Sequence, residues 1–228
     1  MTEDRTGQRT KQLVAAHMDQ ARQRLDTFLD TRGISLPVFA VAMEAFTKTV
    51  LDLPEGAACK AGCAYCCSLK VGVSIPELLV IFNGLKVQTT QGGLGFFRDR
   101  ILATAARGNT LKDEFWRTTR TSCPFLDPQG YCLIYALRPF SCRAYHSTDM
   151  AVCQDGYDRG CEIQVPCYPL FRACTDMYSS VFIKVMADRG FASFQVGFVK
   201  GLEILFQDQS AQDRWLNRED VFAPARLG

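Results

Sequence analysis

Histidine is nearly missing: His17 and His146 are the only two in 228 residues. They lie too far apart in sequence to form a paired His-x-x-x-His metal motif on one helix. A surplus of charge is missing as well, since 26 Lys+Arg against 24 Asp+Glu leaves a net +2. That balance offers no strongly basic surface, so nucleic acid is not expected as a partner. No glycine-rich phosphate loop and no nucleophile elbow appear, and Asp149 and Asp155 have no identifiable acid or base partner. Residues 1–12 are polar and no apolar h-region follows them, so no secretion signal is expected. The longest apolar stretches, such as 74–85 and 196–206, carry polar or charged residues and fall short of the roughly 20 residues that span a bilayer. The expected location is cytoplasmic, without a membrane partner.

What is abundant is cysteine. Eleven are present: none in 1–58, all eleven in 59–174, and none in 175–228. A hydrophobic fraction of 47% with 22% charged residues excludes wholesale disorder, and the length suits a single domain over 1–228. The fold class expected is mainly α, with helical flanks around an irregular cysteine-rich metal-binding centre. In the N-terminal part (1–58), Leu13, Val14, Met18, Leu25, Phe28 and Leu29 mark one helix. Val38, Val41, Ala42, Ala45, Phe46 and Val50 mark a second. Ser74-Ile75-Pro76-Glu77 has capping-box spacing and predicts a helix over 75–85. Further helices are predicted over about 94–105 and 111–120. Between 123 and 168 seven prolines and glycines predict mostly irregular chain. The C-terminal part (175–228) is helical again, with predicted elements at 170–187, 194–206 and 211–217.

Cys59, Cys63, Cys66 and Cys67 place four thiols in nine residues. If this segment is helical they occupy one face, a stripe of thiols. Buried cysteines acting as small hydrophobes account poorly for such a concentration. Disulfides are discounted too, because no secretion signal is present and the length needs no staples. Thiolates select zinc, copper(I) or iron–sulfur clusters, whereas magnesium and calcium want oxygen.

The downstream cysteines sit in distinctive settings: Cys123-Pro124-Phe125-Leu126, Tyr131-Cys132-Leu133-Ile134-Tyr135 after Gly130, and Arg138-Pro139-Phe140-Ser141-Cys142-Arg143. Tyr145-His146-Ser147 then precedes Cys153. Together with the cysteine-rich opening, these motifs resemble the CxxCxxCC or YkgJ-like cysteine-cluster family, described as zinc- or iron-chelating. The resemblance runs over about 59–153, although this chain opens with Cys-x3-Cys where many members have Cys-x2-Cys. It implies eight metal-linked cysteines: Cys59, Cys63, Cys66, Cys67, Cys123, Cys132, Cys142 and Cys153. It assigns nothing to Cys161, Cys167 or Cys174.

Arg138 and Arg143 flank Cys142, where a guanidinium would offset thiolate charge and donate to sulfur. Tyr145 and His146 are the other candidates to surround the site, His146 also as a ligand through neutral imidazole. The cofactor expected is an iron–sulfur cluster or iron, alternatively zinc. Three functions remain open: a metal-bound scaffold, a metal-cluster-dependent enzyme, or a soft-metal storage or trafficking protein. The resemblance carries the second, since the family distantly includes flagellin lysine methylases. Its partner would be a protein or peptide substrate.

Overall fold

The computed structural model describes residues 2–50, 52–109, 119–161 and 163–227. It is mainly helical. Helix α1 (Thr2–Arg32) and helix α2 (Leu36–Lys48) are joined by a turn in which Gly33 takes φ +77°, a left-handed value that a side chain would resist. Leu25 and Leu29, one turn apart on α1, are buried, as are Phe39, Ala42, Met43 and Phe46 on α2.

Helix α3 (Ile75–Gln88) starts as its sequence predicts. Ser74 accepts from the Glu77 N–H while the Glu77 carboxylate accepts from the Ser74 N–H, and Pro76 lies in the first turn. Helix α4 (Gln91–Asn109) follows. Of the helix predicted over 111–120, residues 111–118 lie outside the described residues, and Thr119 and Arg120 form a turn. The region 123–168 is more ordered than its prolines and glycines suggest. It holds a 3-10 turn at Tyr135–Leu137, helix α5 (Phe140–Ala144) and helix α6 (Met150–Asp158). Asp149 caps α6 by accepting from the Ala151 N–H at 2.9 Å, which lets nine residues wind between the breakers.

Helix α7 (Pro169–Asp188) packs against α1 and α5. Arg189, just past its end, pairs with Asp26 and Asp30 of α1. The helix predicted from 194 begins later, as α8 (Phe198–Gln207), because Val196–Gly197 forms strand β2 and pairs antiparallel with strand β1 (Gly72–Val73). Helix α9 (Ala211–Leu216) buries Trp215, whose indole N–H donates to Ala192 O at 2.8 Å. One hydrophobic cluster runs from Ala21 on α1 to Ala225 near the C-terminus, and it includes Phe125, Ile134 and Phe140 from the cysteine region. No helix among the described residues is long and apolar enough to cross a membrane.

Candidate metal centre

Three pieces of chain carry the eight cysteines. The first does not form the helical stripe that its spacing allows. Gly62 takes φ +82°, which interrupts helical winding, and only Tyr65–Ser68 closes a 3-10 turn. Ahead of it, the Ala58 N–H donates to Ser147 O at 2.8 Å, and the Ser147 N–H donates to the Cys59 sulfur at 3.4 Å. Cys59 is thereby fixed beside a residue 88 positions away.

The second piece is a hairpin. Leu126 and Cys132 form a bridge, Leu133 N–H donates to Phe125 O at 2.8 Å, and the Asp127 carboxylate accepts from the Gln129 and Tyr131 N–H groups across the turn. Gly130 closes the turn at φ +86°, and a Cβ there would stand 2.7 Å from Gly62 O. The two cysteine loops therefore meet backbone to backbone. The Cys123 N–H donating to Cys67 O at 2.8 Å ties them again.

The third piece is α5 with α6. Ser141 donates to Gly72 O at 2.8 Å and the Phe140 N–H to the Glu77 carboxylate at 3.1 Å, which positions the turn carrying Cys142. Cys153 is buried on α6, which packs on the Tyr65–Ser68 turn, with the Tyr65 and Tyr157 rings 5.7 Å apart.

Cys66 occupies the middle of this arrangement. It interacts electrostatically with Cys59, Cys63, Cys123, Cys132 and Cys142, and its sulfur is hydrogen-bonded to Cys67. Cys153 interacts with Cys63. All eight thiols thus belong to one electrostatic neighbourhood. Outside it, the Cys174 thiol is raised by burial alone and Cys161 interacts with Arg159.

Burial pushes the thiols of Cys59, Cys63 and Cys132 above their ordinary value, Cys142 well above it, and Cys123 to about 12. Cys66 is pushed well up by its hydrogen bond with Cys67 and then by burial. Opposing this, backbone N–H groups donate to sulfur from Ser147 to Cys59, Tyr65 to Cys63, Phe125 to Cys123, and Ile134 to Cys132. Donors of this kind favour the thiolate and, in metal sites, tune bound sulfur. Burial outweighs these donors, so binding a metal at these thiols would displace protons at neutral pH.

Arg138 is the cation shared by Cys59, Cys66, Cys132 and Cys142, and it lies 3.7 Å over the Tyr135 ring. Arg143 donates to Arg138 O at 3.0 Å and Ala136 O at 2.6 Å, bracing the turn between Cys132 and Cys142. Burial, then the charge of Arg138, lowers its own pKa. Tyr145 lies under the Arg172 guanidinium, 4.9 Å from the ring centre. His146 is fully buried with both nitrogens occupied: Nε2 accepts from the Tyr168 N–H at 2.9 Å, so Nδ1 donates to Ala144 O at 2.9 Å. That neutral tautomer leaves no lone pair for a metal, and His146 instead orients the segment whose Ser147 holds Cys59.

Two supports, Ser147 and Ser141, lie inside the quoted cysteine motifs, but nothing in those motifs assigns them these hydrogen bonds. Glu77 has a sequence signal, its capping box, which marks a helix start and not the additional bond to Phe140. Among the described residues no three His, Cys, Asp or Glu side chains stand together as a ligand set for one ion.

Residues 58–162 match the CxxCxxCC family, described as a "putative zinc- or iron-chelating domain". That segment, just under half of the chain, belongs to the family. The match takes in Cys161 as well as the eight cysteines that the resemblance implies and leaves Cys167 and Cys174 outside. No curated protein and no solved structure matches the chain.

Proposed function

We propose that this protein holds iron, as an iron–sulfur cluster, through Cys59, Cys63, Cys66, Cys67, Cys123, Cys132, Cys142 and Cys153. The observation that carries the reading is the convergence of six of these thiols on Cys66, with Cys153 reaching the group through Cys63. The donor set fits a soft metal: sulfur throughout, N–H groups aimed at four of the sulfurs, and Arg138 shared by four thiols. The side chains need a further closing movement to bind, since no ligand triplet is assembled among the described residues. Bound there, a cluster would supply one-electron redox chemistry or a Lewis-acidic iron. The chain's own contribution is to hold the thiols on two abutting loops and a short helix, to donate N–H groups to sulfur, and to offset negative charge with Arg138 and Arg143.

The test is metal and sulfide analysis of protein purified without oxygen, with its absorption spectrum. Iron and acid-labile sulfide in stoichiometric amounts are expected. Cys66→Ser should lose at least half of the metal, whereas Cys174→Ser should lose none. Stoichiometric zinc without sulfide would replace the cluster with a closed structural site. Absence of any transition metal, or equal metal in Cys66→Ser and wild type, would overturn the reading.

A further inference from the structure

Away from the cysteines, a cavity of about 240 Å³ opens between α1 and α2, with the edge of α7 as its floor. Its walls are apolar: Leu25 and Phe28 from α1, Val41, Ala45 and Phe46 from α2. Tyr178 of α7 forms the floor and stacks on Phe46 with ring centres 4.5 Å apart. The Thr49 hydroxyl donates to Phe46 O at 2.7 Å, so the Tyr178 hydroxyl is the donor in their 2.8 Å bond. The phenol is thus held by the protein itself, and it turns its ring to the cavity.

The rim is polar on one side only. His17, Gln20 and Arg24 project from α1 at helical spacing, so they share one face. Arg24 makes no ion pair among the described residues. On the α2 side the charges cancel, because Lys48 pairs with Glu44 at 2.8 Å. An apolar pocket with one uncompensated cation at its mouth is complementary to an apolar anion. Size narrows the class further. A cavity of about 150 Å³ takes benzene, so this one takes roughly a two-ring or ten-carbon body.

We propose that the cavity between α1 and α2 binds a small apolar monocarboxylate, its hydrocarbon between Leu25, Phe28, Val41 and Phe46 and its carboxylate at Arg24. Nothing in this site depends on the metal centre, so the two proposals stand or fall separately.

Naphthalene-1-carboxylate is the probe, titrated into the full-length chain by calorimetry. Binding with a dissociation constant below about 1 mM is expected. Arg24→Ala should weaken it about tenfold, the scale of a lost charge-assisted hydrogen bond. The neutral analogue naphthalene-1-methanol should bind wild type weaker by a similar factor and be indifferent to Arg24→Ala. Ala45 is exposed on α2, so Ala45→Phe should fold with unchanged circular dichroism while filling the cavity and abolishing binding of both probes. No binding to wild type would overturn the proposal. So would equal binding of the carboxylate by Arg24→Ala, or binding that survives Ala45→Phe.

Discussion

Glu77 is fully buried and carries four hydrogen bonds: from the N–H and hydroxyl of Ser74, from the hydroxyl of Ser179, and from the N–H of Phe140. Burial raises its pKa above 4.5, and the hydrogen bonds from Ser179, Ser74 and Phe140 only partly offset that rise. A raised carboxyl means that the folded protein holds this proton more tightly than the unfolded chain does. The associated stability is fully present below pH 4.5 and is lost as pH rises through the folded value. Glu77→Gln keeps the shape and removes the titration. Thermal melts should therefore show wild type losing stability relative to Glu77→Gln as pH rises from 4.5 to neutrality. Parallel pH profiles for the two proteins would show that the carboxyl does not titrate there. The same residue marks the limit of what its motif discloses. Ser74-x-x-Glu77 announces a capping box, but a motif confined to four residues cannot disclose that Phe140 and Ser179 arrive from elsewhere in the chain.

At the scale of elements, the helices with strong apolar periodicity or caps are legible: α2, α3 and α7 form close to where the sequence puts them, while α1 covers its apolar positions 13–29 but starts well ahead of them, at Thr2. The first cysteine segment is not. Thiols at 59, 63, 66 and 67 fit a helix by spacing, yet Gly62 at φ +82° gives the backbone a turn instead. Its reason lies in the tertiary structure: the hairpin turn at Gly130 packs against Gly62 O. The convergence on Cys66 follows from that approach, which no local pattern contains. Gly130→Ala tests it. The added methyl meets Gly62 O at 2.7 Å in a backbone conformation that L-residues resist, so the loops must part. A loss of about 1–3 kcal/mol in denaturant unfolding is expected, together with reduced metal content. Gly33→Ala is the control, because position 33 is equally left-handed with nothing within 4 Å. It should lose stability and keep the metal. Equal metal loss in both variants would mean that general destabilisation, and not the loop contact, governs loading.

Across the whole molecule, the cysteine region is not an island between two helical flanks. Phe125, Ile134 and Phe140 belong to the same core as Leu25, Phe182 and Leu202. Chelation should therefore loosen the outer loops, near 59–67 and 126–133, before it disturbs the segments anchored by those aromatic and aliphatic side chains. Limited proteolysis should show new cleavage confined to these loops, with helical circular dichroism retained. Equal protection before and after chelation would show that the thiols do not hold the loops, and collapse of the helical signal would show that the metal supports the entire fold. The ladder between β1 and β2 has a further effect. Gly72, paired with Gly197, also receives the Ser141 hydroxyl one residue from Cys142. On the other side, β2 is bridged to Arg226, while the Leu227 N–H donates to Gln195 O at 2.9 Å. A bulky fusion joined directly after 227 would pull on a strap whose opposite end is a thiol-bearing helix, so the choice of tag position is a choice about the chemistry of the site.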